Sequence, residues 1–265
     1  MINLNFNLWW SGAKLSYLRY LTFKTLRFFH PNSKICLFVG DKFRKEGHKW
    51  NEEKQEFENP DDIKKDYLEE LGNLDVEIKH VDWFSQYAPN FQSDMARWFF
   101  LHNYGGFYLD TDQIILKSFE TLPLWSTFIY SSYHALSCGR YFPVGVLGAS
   151  KDSDIVYYIY QVMPKFINAN VYNSAGPWML REVIKTRQWA DEMFNAPSNY
   201  FYPVPESYRV SEIYDGSFKI PKESYALHLF LGHKTSQEFN KIYTEEMAEK
   251  SNDTISRFLR ENNLI

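Results

Sequence analysis

Residues 93–112 read SDMARWFFLHNYGGFYLDTD. The stretch places a charged pair, Asp94 and Arg97, inside an apolar helix-length segment, then Gly105-Gly106, a short aromatic strand, and two carboxylates, Asp110 and Asp112. Residues two apart in an extended chain point to the same side, so Asp110 and Asp112 can converge on one ion while Thr111 points away. Carboxylate oxygens with no histidine or thiolate in the motif suit a hard cation, Mg²⁺ or Mn²⁺, which commonly shares its shell with substrate phosphates. An Asp-x-Asp triplet alone says little, and the chain holds a second copy, Asp152-Ser153-Asp154. That copy precedes an amphipathic segment, where acids complement a helix dipole, and reads as structural. The first copy differs because it follows a glycine turn, a strand and a helix bearing opposite charges.

The spacing predicts that helix over 91–104, with Asn90 as N-cap and Gly105 as the left-handed residue that ends it. Phe91, Met95, Trp98, Phe99, Phe100 and Leu101 make it apolar nearly all round, which implies burial on most sides. Asp94 and Arg97, three apart, share one face. They read either as a structural ion pair or as two hydrogen-bonding charges facing a cavity. A buried pair is a weak source of stability compared with apolar residues of similar size, which keeps the second reading open.

Outward from this core, the first half alternates strand and helix: strand-like 4–9, a helix over 14–29, strands at 34–39 and 75–81, then the 91–104 helix and a strand at 107–109. Later segments read as strands at 127–132, 144–149 and 225–231 and helices at 152–166 and 174–185. The whole, residues 1–265, is expected to be one α/β domain with a charged surface excursion at about 42–71 and a helical end at about 236–265. In such sheets ligands sit beyond the carboxyl ends of strands, where Asp110 and Asp112 fall. The 265 residues are 45% hydrophobic and 18% aromatic, which marks a folded globular chain. The net charge of -4, with acids and bases mixed, argues against a nucleic-acid partner. Two cysteines, Cys36 and Cys138, cannot form a disulfide framework. No signal-type N-terminus and no run long enough to span a membrane are visible, so a cytoplasmic location is expected.

Ser-Asp-x-x-Arg followed by Tyr-Gly-Gly-x-Tyr-x-Asp-x-Asp resembles the DXD-containing glycosyltransferases of family 32. That group includes capsular polysaccharide transferases, initiating mannosyltransferases and, more distantly, clostridial toxin glucosyltransferase domains. Weaker echoes are Trp10-Ser11-Gly12 after the first strand, Ala175-Gly176-Pro177, Phe201-Tyr202-Pro203 and Tyr225-Ala226-Leu227-His228. The resemblance implies a GT-A, Rossmann-like fold with a mixed central sheet flanked by helices. It implies transfer of a sugar from a UDP- or GDP-sugar to a hydroxyl of a glycan, lipid-linked or protein acceptor, with Mn²⁺ or Mg²⁺ and with retained anomeric configuration, in polysaccharide biosynthesis. By position it makes Asp94, Arg97, Asp110 and Asp112 the catalytic set. Asp94 and Arg97 would hold donor-sugar hydroxyls, Asp110 the ribose or sugar, and Asp112 the metal, with Asp110 and His228 completing its ligands. Trp10 would stack on the base, and Ser93, Gly105, Gly106 and Gly176 join the substrate-binding set. The chain departs from the family at its late His-x-x-x-Ser-Trp ending, which here runs His228 to Ser236, where Lys234 or Ser236 could substitute as the residue that closes over the diphosphate. Ala175 also replaces the hydroxyl residue usual in the Thr-Gly-Pro loop.

Each of these residues has an ordinary alternative. His228 in an apolar strand could be a hydrogen-bonded core residue instead of a ligand. Trp9 and Trp10 face opposite sides, so one belongs to the core. Tyr133, His134, Tyr172 and Trp178 could form an acceptor platform or simply pack. Two other functions compete. The first is a haloacid-dehalogenase-like phosphatase with Asp110 as nucleophile and Asp112 as acid/base, although no Gly-Asp-x-x-x-Asp follows. The second is a non-catalytic carbohydrate-binding protein on a transferase scaffold.

Overall fold

The computed structural model describes residues 1–40, 63–135, 139–186, 189, 193–204 and 209–265, with the backbone alone at 49–51 and 56–58. The chain opens with β1 (Phe6–Trp10) and α1 (Tyr17–Phe29), where Ser16 caps α1 by accepting from the amide of Arg19. Next come β2 (Ile35–Gly40), a short ladder of β3 (Lys49–Asn51) and β4 (Glu56–Glu58), and β5 (Glu77–Val81). The helix α2 (Pro89–Tyr104) leads into β6 (Gly106–Leu109) and β7 (Gln113–Ile115). Then follow β8 (Phe128–Ser131), the hairpin of β9 (Tyr133–Ala135) and β10 (Gly139–Tyr141), and β11 (Val146–Ala149). The rest runs through α3 (Asp154–Val162), α4 (Met179–Lys185), β12 (Met193–Ala196) and β13 (Ala226–His228) to three helices. These are α5 (Lys234–Ile242), α6 (Glu245–Lys250) and α7 (Thr254–Glu261).

Seven strands form the central sheet in the order β12-β8-β11-β6-β1-β2-β5. The pairs of β1 with β2 and β6, of β2 with β5, and of β12 with β8 are parallel; β11 runs antiparallel to β6 and β8. The strand in the middle, β6, is buried along its whole length, as a strand covered by helices on both faces must be. One face packs against α1 through Leu8, Phe23, Leu37 and Leu109, and the other against α2 through Trp9, Phe38, Phe100 and Tyr108. A third cluster, with Tyr17, Leu21, Leu227, Tyr243 and Leu259, joins α1 to β13 and the C-terminal helices. This is the α/β architecture the sequence predicts, with the mixed, helix-flanked sheet that the resemblance implies.

Several local expectations change. α2 begins earlier than expected, with Ala88 at the N-cap and Pro89 in its first turn. Asn90 therefore lies inside the helix, and its amide donates to Tyr172 O. The predicted 174–185 helix splits, because Gly176 leaves helical geometry (φ -109°, ψ -106°) and only 179–185 is regular. The segment 110–112 is a turn between β6 and β7, not a continuation of the strand. Most of the charged 42–71 excursion, and Cys138, lie outside the described residues.

Candidate active site

At the carboxyl end of β6 the chain turns through Asp110-Thr111-Asp112 and enters β7. Pairing of β13 with β7 places His228 opposite Gln113, beside the turn. Ligand-capable atoms of Asp110, Asp112 and His228 thereby fall within 4.8 Å of one another. His228 Nε2 is 3.2 Å from Asp112 Oδ1, a buried oxygen with no other partner. Its partner Oδ2 accepts from the amide of Leu231, and the Asp112 carbonyl accepts from the amide of Leu229. Burial opposes the charge of Asp112, but His228, Arg19 and the Leu231 amide hold its carboxyl well below the usual range. A buried carboxylate oxygen left open beside a second carboxylate and an imidazole has the donor chemistry of a divalent-cation site.

α1 fixes the same turn from behind. Thr22 Oγ1 donates to Thr111 O (2.9 Å) and accepts from Gln113 N (3.2 Å), so one hydroxyl bridges the peptide groups on either side of Asp112. One helical turn on, Thr25 Oγ1 accepts from the amide of Ile115. Arg19 Nη1 donates to Thr111 Oγ1 at 2.8 Å. Arg19, Thr22 and Thr25 recur every three residues and form a polar stripe on a helix otherwise buried by apolar contacts. Sequence reading missed all three. Hydroxyls on the inner face of an apolar helix were the available signal.

α2 supplies the second group of side chains. Arg97 lies 3.1 Å from Asp94 Oδ1 and 3.3 Å from Asp110 Oδ1, and it donates to Ser93 Oγ at 3.0 Å. The Tyr108 hydroxyl donates to Asp110 Oδ1 (2.9 Å), so the proton in its 2.8 Å bond with Ser93 comes from the serine. The chain of donors is thus Arg97 to Ser93 to Tyr108 to Asp110. Burial pushes the Asp94 carboxyl up to about 7, with Arg97 pulling it down and Asp110 adding a smaller push. Burial also works against the charge of Arg97, yet Asp110, Tyr108 and Asp94 raise its affinity for the proton.

These groups line one cavity of about 330 Å³, together with Trp10, Gly12, Arg19, Tyr133, Tyr172 and His228. Trp9 is core; the Trp10 ring is half-buried, with the Arg19 guanidinium 4.4 Å from its centroid. Four of the expected donor-binding residues do not line the cavity. Gly105 and Gly106 sit at the start of β6, the end away from Asp110. A β-carbon at Gly106 (φ +80°) would lie 2.4 Å from Asn5 O, so that glycine serves the turn. Gly176 backs Asp94, where a β-carbon would lie 2.7 Å from Oδ1. Lys234 begins α5. Of the aromatic platform, Tyr133 and Tyr172 reach the cavity, whereas Trp178 lines a separate groove. Asp154, from the second Asp-x-Asp, lies in the first turn of α3, the structural position expected of it.

Residues 18–129 match the family profile described as the glycosyltransferase sugar-binding region containing DXD motif. The match makes this region similar to the sugar-binding region of DXD-type glycosyltransferases. The region holds α1, both faces of the central sheet at β6, and the turn at Asp110–Asp112. Among solved structures, the glycosyltransferase GlyE of Streptococcus pneumoniae TIGR4 superimposes with a TM-score of 0.53 at 15% identity. The alignment covers 99% of this chain and 61% of the GlyE chain, and it shows a shared fold. The PaToxG glycosyltransferase gives a TM-score of 0.49 at 17% identity over 98% of this chain and 87% of its own. The galactosyltransferase LgtC gives 0.43 at 13% identity, over 93% of this chain and 100% of its own. No curated protein sequence matches the chain. Neither the phosphatase nor the lectin alternative draws support from these relatives.

Proposed function

We propose that this transferase moves a sugar from a UDP- or GDP-sugar to an acceptor hydroxyl, with a divalent cation at Asp110, Asp112 and His228. The convergence of those three side chains at the carboxyl end of β6 carries the reading. Two carboxylates with one imidazole favour Mn²⁺ over Mg²⁺. Such a cation stabilises the charge that grows on a departing nucleoside diphosphate. Asp94 and Arg97, held together on α2, face the space where the donor sugar would lie and can bind its hydroxyls. Asp110, fixed by Tyr108 and Arg97, can take the ribose or the sugar. The half-buried Trp10 offers a surface for the base.

The resemblance to family 32 implies retention by front-face attack, with the leaving phosphate accepting the acceptor proton. Tyr133 and Tyr172 at the cavity wall suit the C–H faces of an acceptor sugar, as in polysaccharide assembly. We further propose that residues 1–265 form a single domain and work in the cytoplasm. Among the described residues, no helix is long and apolar enough to cross a membrane.

The test is thermal stability against UDP, GDP and CMP, each with and without Mn²⁺, for the wild type and the Asp110→Asn/Asp112→Asn double variant. A ligand at a hundred times its dissociation constant stabilises the native state by about 2.7 kcal/mol. A manganese-dependent response to UDP or GDP that the double variant lacks is expected. A wild type indifferent to every nucleotide would overturn the reading.

A further inference from the structure

We propose that Arg19 is the cationic contact for the diphosphate of the nucleotide donor; this rests on the functional reading above. The guanidinium lies between two fixed surfaces, the Trp10 ring 4.4 Å from its carbon and Thr111 Oγ1 2.8 Å from Nη1. Thr111 stands between the two cation-binding carboxylates. Arg19 therefore occupies the interval between the aromatic surface suited to a base and the cluster suited to a metal. A nucleoside diphosphate must span that interval.

Arg19 is partly buried and has no ion-pair partner among the described residues. No carboxylate lies within ion-pairing distance of it among the described residues, and its Nε is sequestered with no hydrogen-bond partner. A guanidinium drawn partly out of water with no counter-charge is costly to keep. The nearest negative groups, Asp112 and Asp110, act on it only through space and belong to the cation cluster. An anion delivered to the cavity would supply the missing partner, and a guanidinium fork matches phosphate oxygens in two parallel bonds. The helix that carries the side chain is fixed. α1 is pinned to the carboxylate turn by Thr22 and Thr25, three and six residues further along the same stripe. Nothing in the DXD resemblance assigns this helix a donor contact.

The test is isothermal titration calorimetry of the wild type, Arg19→Met and Arg19→Lys with UDP, GDP, uridine and guanosine in Mn²⁺, and with Mn²⁺ alone. Loss of a charge-assisted bond should weaken the preferred nucleoside diphosphate about tenfold or more in Arg19→Met. The parent nucleoside should change by less than about twofold, because the base surface is retained. Equal weakening of nucleoside and diphosphate would mean that Arg19 merely props Trp10, and would overturn the proposal. An unchanged diphosphate with tighter Mn²⁺ would mean that it only neutralises the carboxylates, and would overturn it too. Ligand-free melting establishes that each variant is folded. Should Arg19→Met not fold, Arg19→Lys decides. Its ammonium cannot form the two-bond fork, so its diphosphate-to-nucleoside affinity ratio should fall, and an unchanged ratio would refute the role. A wild type that binds no nucleotide would instead refute the functional reading itself.

Discussion

Asp94 is nearly sealed from solvent beside Arg97 and Gly176, and burial raises its carboxyl to about 7. The unfolded chain ionises this group near pH 4, while the native state keeps the proton until about pH 7. Its contribution to stability is therefore complete at acid pH and is lost as pH rises through that interval. Asp94→Asn removes the slope, so the variant should gain stability relative to the wild type by on the order of 1–3 kcal/mol between pH 4.5 and 8. Urea denaturation at both pH values measures this; a constant difference would show that Asp94 is ionised throughout. Asp94 and Arg97 were legible as a pair from their spacing. The hydrogen-bond route from Arg97 through Ser93 and Tyr108 to Asp110 was not, because Ser93 and Tyr108 are fifteen residues apart and meet only when α2 packs on β6.

At the scale of elements, α1 and β13 both hold the turn that carries the proposed cation site. Thr22 supplies one hydroxyl to two backbone groups flanking Asp112. Thr22→Val keeps the shape and leaves a buried carbonyl and amide without a partner, which costs about 1–3 kcal/mol. The turn should then lose its fixed geometry, so Mn²⁺ affinity falls together with stability. Thr22→Ser, which restores the hydroxyl, should recover the Mn²⁺ affinity even if some stability is lost with the methyl group. Manganese titration followed by electron paramagnetic resonance would check both variants. Affinity unchanged in Thr22→Val would show that the turn keeps its form without α1. The helix itself was predictable from apolar spacing. Its inner polar stripe gained meaning only from what it faces, since Thr22 and Thr111 are 89 residues apart.

For the whole molecule, the C-terminal helices pack against both α1 and β13, the elements that flank the carboxylate turn. Ser236 donates to Leu229 O, and Ser16, the cap of α1, is hydrogen-bonded to Asn240. The apolar cluster of Tyr17, Leu21, Leu227 and Tyr243 joins α1, β13 and the helical end in one packing unit. A chain ending at Gly232 should therefore lose manganese-dependent nucleotide stabilisation and melt at least several degrees lower. Retention of the response by that truncated chain would show that β13 holds His228 unaided. The sequence by itself determined the alternation of strands and helices, the glycine turn, and the carboxylate pair at a strand end, because hydrophobic period and turn chemistry are local. It also placed His228 in a strand, but left that residue open between core and ligand. Tertiary structure set its neighbours by pairing β13 antiparallel to β7. It also moved Gly105 and Gly106 away from the cavity and brought Arg19 into it. The physical reason is that such neighbours depend on register and helix docking, which are set by the packing of the whole core and leave no periodic mark in the chain.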